Sequence, residues 1–255
     1  MIKEFSLYKG KILIRFEGEG EKHKFYDGKG NDILSVSKIT GVIDKSPGLM
    51  GWVAKMMGLY LLTEKDKGND RITEELIIQA KNEYRFVQQK AKDVGKEIHE
   101  WIHQKIVGNN PAMPEDEQVI NGITAYLKFQ KEYKVKWIET ERCVYSKKYK
   151  FGGFLDGIGI MGKELILPDF KSSNGFYPEM EIQLAGYDIA YTEETGKKPK
   201  RHFILRFGKN TGEFEIKEIK EMEKNRKAFI GLIPVARRLA ELKKEYNDGK
   251  YNSKM

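Results

Sequence analysis

Apolar and polar positions change period several times along the chain, and each change marks a new element. Residues 5–36 alternate apolar and polar side chains around the segments GEGEKH and DGKGND. A period of two broken by Gly, Asn and Asp predicts hairpin strands joined by glycine-rich turns. From residue 47 to residue 108 the pattern is helical: LMGWVAKMMGLYLL follows SPG, and TEELIIQAKNEYRFVQQKAKDVGKEIHEWIHQKIVG carries apolar residues at helical spacing. Thr73 can cap the second helix, Glu74 and Glu75 fall in its first turn, and Gly108 ends it.

NNPAMPEDE reads as a linker, followed by a helix from about Glu115 to Tyr133. From Trp137 the period returns to two, giving strands at about 137–146, 151–161 and 164–171. YPEMEIQLAGYDIAYTEETG then reads as a helix with Pro178 in its first turn and Gly196 at its end. Two further strands, RHFILRF and EFEIKEI, precede a charged terminal helix. The order α-βββ-α-ββ-α predicts an α/β (α+β) fold, a mixed central sheet flanked by helices. One domain is expected over residues 1–255: a hairpin region (1–46), a helical section (47–110), and a core with its terminal helix (111–255).

Composition narrows the function classes. The chain has 255 residues, a net charge of +8 and a pI near 9.2, which suits a polyanionic partner such as nucleic acid. The single cysteine, Cys143, excludes an internal disulfide and a four-cysteine metal or iron–sulfur centre, and fits a reducing, cytoplasmic setting. No stretch has the apolar length of a membrane span, and MIKEFSLYKGK lacks the apolar core of a signal peptide.

Candidate chemistry begins at LILPDFKSS, residues 165–173, an apolar strand that places Asp169 and Lys171 on one face and Phe170 on the other. A DxK triplet alone says little, since DGK occurs at Asp27–Lys29 and again at Asp248–Lys250. Context separates the copies. Upstream lies KFGGFLDGIGIMGKE, where Asp156 sits in a glycine-rich strand and the turn MGKE lets a hairpin bring it to Asp169. Two adjacent carboxylates repel, and a divalent cation such as Mg2+ or Mn2+ removes the conflict. Asp169 would hold that ion, the Phe170 carbonyl could add a ligand, and Lys171 would reach a water or phosphate oxygen beside it.

An Asp after a glycine-rich turn, then a strand ending in DxK, then a helix with QxxxY (Gln183 and Tyr187, one helix face) resembles the PD-(D/E)XK nuclease superfamily in its RecB-like exonuclease branch. GKEIHEWIH is similar to that branch's GxxxH helix motif, which implies His99 as a further metal ligand in preference to His103. Glu141 in ETERCVYSKKYKFGG stands where the branch has its glutamate before the glycine-rich turn. DILSVSKITGVIDKSPGLMGWVAKMM is similar to a segment of phage-type relatives of the mitochondrial genome maintenance exonuclease. The family's proline before its first acid is absent, Leu155 standing there. Reading the literal PD at Pro168–Asp169 with EIK at Glu215 would put a whole helix between two acids that belong on adjacent strands, and that register is rejected.

The resemblance implies a restriction-endonuclease-like fold and a Mg2+- or Mn2+-dependent exonuclease that leaves 5′ phosphates, in phage or bacterial recombination, repair or replication. DNA, single-stranded or with a free end, is the implied partner. Asp156, Asp169, Lys171 and Glu141 would be catalytic, His99, Asp156, Asp169 and the Phe170 carbonyl would hold metal, and Gln183 and Tyr187 would position substrate. No iron–sulfur cluster is implied. An endonuclease and a non-catalytic nucleic-acid binder remain as alternatives. In the helical section, Trp52, Lys55, Tyr84 and Arg85 could touch a strand, while Trp52, Met56, Met57 and Tyr60 also suit simple packing.

Overall fold

The computed structural model describes residues 2–18, 23–69 and 71–247. Most of the GEGEKH turn and the DGK triplet at Asp248–Lys250 therefore lie outside the described residues. Four short strands open the chain, β1 (Ile2–Leu7), β2 (Ile12–Glu17), β3 (Lys24–Asp27) and β4 (Asp32–Ser35), paired as an antiparallel meander. The first begins at Ile2 because the alternation reaches further toward the terminus than residue 5. Ser35 caps a one-turn helix, α1 (Val36–Thr40), by accepting the Lys38 N–H, and Val36 and Ile39 are fully buried.

Two helices follow, α2 (Ser46–Asp66) and α3 (Glu74–Ile106), side by side as a hairpin. Thr73 caps α3 through the Leu76 N–H at 3.2 Å, and Gly108 takes φ +91° just past its end. Tyr60 donates to Gln79 at 3.2 Å and Trp52 meets Tyr84 edge-on at 6.2 Å, so part of the α2 aromatic set packs on α3. No described residue of α2 is buried, and Leu49, Met50, Leu59 and Leu62 stay exposed.

The remainder is α4 (Glu117–Tyr133), β5 (Lys136–Ser146), β6 (Phe151–Met161), β7 (Glu164–Lys171), α5 (Pro178–Thr195), β8 (Arg201–Phe207), β9 (Phe214–Glu218) and α6 (Met222–Asn247). Asp116 caps α4, and Gly196 ends α5 in the left-handed region at φ +70°. The nine strands form one mixed sheet in the order β1-β2-β3-β4-β6-β7-β8-β9, with β5 on β6. β7 and β8 run parallel with α5 as the crossover, and β4 meets β6 in parallel only at Leu34 and Ser35. No helix is long and apolar enough to cross a membrane among the described residues.

Helices cover both faces, and the apolar interior divides accordingly. On one face Leu155, Ile158, Leu167 and Ile204 of the sheet pack with α1, α5 and α6. On the other, Ile166, Phe170, Phe203 and Phe207 pack with Val94, Ile98 and Ile102 of α3 and with α4. A third cluster holds Ile14, Phe25 and Ile33 of the meander against Cys143 and Tyr145 of β5.

Candidate active site

β6 and β7 pair only near their shared turn, at Gly159–Ile166, Ile160–Leu165 and Met161–Glu164. Continued outward, that register would set Asp156 opposite Asp169, but the ladder stops and the strands part. Across the gap Phe170 N–H donates to Asp156 Oδ2 at 2.6 Å, a side chain standing where a strand carbonyl would otherwise accept. A residue's N–H and C=O leave the same edge of a strand, so the Phe170 carbonyl also faces this gap.

Asp156 lies where β6 changes face. A Cβ on Gly153 would meet Tyr187 and Val36, on the α5 side, and Leu155 belongs to that core. A Cβ on Gly157 would instead meet Trp137 and Phe170, on the α3 side. Strict alternation would keep these odd-numbered residues together, so the break falls at Asp156. Opposite it on β5, Glu141 adopts φ +48°, a left-handed conformation that a glutamate in a strand adopts only under constraint from its surroundings. Thr140 Oγ1 braces the pair by donating to the Asp156 carbonyl at 2.7 Å.

His99 arrives from α3. A Cβ on Gly95 would lie 2.7 Å from Ser172 Oγ, so glycine one turn before His99 lets the helix approach the end of β7. On the same helix, Ile98 fills the space left by Gly122 of α4, where a Cβ would come within 2.3 Å of its Cδ1. The imidazole then sits with Nδ1 3.5 Å from Asp156 Oδ1 and in a T-shaped contact with Phe170, centroids 6.0 Å apart. One ligand atom each from His99, Glu141 and Asp156 lie within 4.8 Å of one another. His103, a turn further on, is outside this group.

Asp169 is 2 % exposed and pairs with Lys171 on the same strand face. Its Oδ2 is in direct ionic contact with the Lys171 ammonium, so both charges of this pair are held inside the fold. Gln183 Nε2 donates to Tyr187 Oη at 3.1 Å, which puts both on the α5 face turned to β6. Glu215, the second acid of the rejected register, lies on β9, separated from β7 by β8, and pairs with Arg206.

Electrostatics separate the acids. Burial works against the Asp156 charge, but His99, Lys171 and the Phe170 N–H outweigh it and hold that carboxyl below its usual value. Burial pushes Asp169 up to about 6 despite Lys171, with Asp156 adding repulsion. Desolvation of its carboxylate, then the Asp156 charge, push Glu141 up to about 7, although the residue as a whole remains exposed. Burial alone would lower His99 and Lys171, yet the facing carboxylates raise both. Lys171 faces two carboxylates whereas Asp169 faces one ammonium and another acid, so the lysine's charge is the more secure of the pair. Tyr187 is driven well above its ordinary value, first by burial and then by Asp169 and Asp156, so its hydroxyl stays protonated.

The donor set fits a hard divalent cation: carboxylate oxygens of Glu141 and Asp156 meet one imidazole within 4.8 Å, and a further buried acid, Asp169, stands on the other bank of the gap. Compared with the sequence expectation, Glu141 joins His99 and Asp156 in the tight group, while Asp169 is drawn aside to Lys171.

A buried network escaped sequence reasoning. Asp188 of α5, fully buried, accepts from His202 of β8 at 2.8 Å and from Arg226 Nε of α6 at 2.6 Å. It pins the helix carrying Gln183 and Tyr187 to the sheet. Two polar interruptions, Asp188 in GYDIAY and His202 in RHFILRF, were the available signal.

No family model and no curated protein sequence matches the chain. Among solved structures, the chain is similar to LHK-Exo in complex with dAMP, at 15% identity and a TM-score of 0.37, over 82% of this chain and 94% of that one. It is likewise similar to an alkaline exonuclease (LHK-Exo) from Laribacter hongkongensis, at 14% identity and a TM-score of 0.37, over 85% and 94% of the two chains. Likeness at that level carries no functional argument, and the site's own geometry has to supply one.

Proposed function

We propose that the chain is a metal-dependent deoxyribonuclease, acting as an exonuclease that hydrolyses phosphodiester bonds to leave 5′ phosphates. The observation that carries this reading is the meeting of His99, Glu141 and Asp156 at a gap in the sheet whose other bank holds Asp169 and Lys171. Structural charge pairs do not require a strand ladder to open or a glutamate to turn left-handed. His99, Glu141, Asp156 and Asp169, with the Phe170 carbonyl, would hold Mg2+ or Mn2+. Once bound, that ion would polarise the phosphate and lower the pKa of its water.

The chain's own groups do the rest. Lys171, kept cationic by two acids, would donate to the attacking water or to the charge growing on the phosphate, an effect worth about 3–4 kcal/mol for one well-placed donor. Tyr187 would remain a neutral donor and, with Gln183, hold that corner of the site in place. His99 would be fixed by α3, and its neutral form would be the one that binds metal.

DNA with a free end, preferably single-stranded, is the proposed substrate, because α3 delivers His99 into the cluster and its hairpin with α2 could cover a strand. Recombination, repair or replication in a phage-infected or bacterial cytoplasm is the proposed setting, within one catalytic domain. The test is digestion of end-labelled linear and circular DNA with Mg2+, Mn2+ or EDTA. Metal-dependent loss of the linear form alone is expected. Cleavage of circular single strands at the linear rate would shift the reading to an endonuclease, and no cleavage at all would leave a binding protein.

A further inference from the structure

An open cleft of about 970 Å3 runs along α3 and the loop after β7, and the acidic cluster itself contributes no side chain to its lining. Its walls are the start of α2, the middle of α3, the β7–α5 loop and the β8–β9 turn. Two features join it to the cluster. Ser173, on its wall, is two residues beyond Lys171, and Ala91, also on its wall, is two helical turns before His99, ~12 Å along the axis.

The lining has a mixed character. Trp52 and Tyr177 offer flat aromatic surface, Tyr177 being 46% exposed. Lys90 and Lys209 line the same space, and the ammonium of neither meets a carboxylate or other hydrogen-bonding partner among the described residues. Burial lowers Lys209 below its ordinary value with no acid near enough to offset it. A partly desolvated ammonium without a counter-charge is a poor arrangement unless an anion arrives. The side-chain amides of Asn174 and Asn210 add groups able both to donate and to accept, and of the two acids on the wall Glu179 is paired with Lys45 at 2.9 Å while Asp44 accepts from the Ser46 N–H at 2.8 Å. An occupant that alternates flat rings with single negative charges matches this surface.

We propose that the cleft seats unpaired nucleotides flanking the phosphate at the cluster, with Trp52 and Tyr177 as stacking faces and Lys90 and Lys209 as phosphate partners. The nuclease reading supplies only the position of that phosphate. Stacking on an aromatic face needs a base freed from its pair, so the ligand is a single strand.

The test uses the full chain and two readouts. Binding of a short fluorescein-labelled oligothymidylate is followed by anisotropy in EDTA, and Mn2+-dependent hydrolysis is followed on the oligonucleotide and on thymidine 5′-p-nitrophenyl phosphate, which reaches the cluster alone. Lys90→Ala with Lys209→Ala should weaken strand binding about tenfold and reduce the salt slope by up to about two. Tyr177→Leu and Trp52→Leu should each weaken it at least about fivefold. All should hydrolyse the small ester as the parent does, and Lys29→Ala should change nothing. If Trp52→Leu fails to fold by circular dichroism, the exposed Tyr177 decides. Unchanged strand binding in the lysine and Tyr177 variants overturns the cleft assignment, whether or not the parent hydrolyses anything. A parent that binds the strand through the cleft yet hydrolyses neither substrate overturns the nuclease reading alone.

Discussion

Replacing Asp169 by asparagine should abolish cleavage and, in the absence of metal, make the protein more stable. The carboxyl is moved from 3.8 to about 6 by burial and by Asp156, with the attraction of Lys171 already included in that balance. At 1.36 kcal/mol per unit, its ionised form opposes folding by about 3 kcal/mol. For an acid raised in the folded state, this penalty is complete above about pH 6 and disappears as pH falls toward the unfolded value near 3.8. Asparagine keeps the shape and carries no charge at any pH. In EDTA at about pH 8 the variant should therefore melt roughly 6–10 °C higher than the parent, and the gain should shrink toward zero near pH 4. Thermal unfolding followed by circular dichroism across that range, with cleavage measured in parallel in Mg2+, reads both effects. A variant no more stable than the parent in EDTA at high pH, or one whose advantage survives acid, would refute the electrostatic reasoning. Normal turnover would remove Asp169 from the site.

Lys171→Ala should lose activity by about 10²–10³-fold, whereas Lys29→Ala in the exposed DGK turn should cleave normally; equal losses would point to general electrostatics. By calorimetric titration with Mn2+, His99→Ala should weaken binding at least about tenfold and His103→Ala much less, and the reverse order would move the ligand one helical turn. Gly95→Ala should be absorbed by rotation of the Ser172 hydroxyl, while Gly95→Leu should push α3 off β7 and cost metal affinity with the far-UV spectrum unchanged. If Gly95→Leu binds Mn2+ like the parent, close approach of α3 is not what places His99.

Much of this was legible in sequence because local chemistry and tertiary context agree. Thr73, Gly108, Pro178 and Gly196 bound helices where their capping chemistry says they should. The order of Asp156, Asp169, Lys171, Gln183 and Tyr187 could be read because the two strands and the helix that carry them fall where the pattern puts them. What could not be read is where regularity fails. Nothing in KWIETERCVYS announces that Glu141 turns left-handed, since glutamate has no such preference. The face change at Asp156 was hidden for the same reason: glycines on either side suit both faces. The partnership of Asp188, His202 and Arg226 joins residues up to 38 positions apart, a distance over which periodicity says nothing.

The parting of β6 from β7 also bears on how the molecule holds together. Its two helical layers are joined through the middle sheet, and at the gap that sheet has few bonds of its own. The groups that meet there come from all three layers: His99 from one side, Gln183 and Tyr187 from the other, and the acids and Lys171 between them. An ion and a strand filling the gap would act as a fastener through the stack, adding about 2.7 kcal/mol at a hundredfold excess over the dissociation constant. The empty protein should loosen there first, so the Phe170 amide, tied to a side chain and not to a ladder, becomes the natural place to watch substrate arrive and leave by hydrogen exchange.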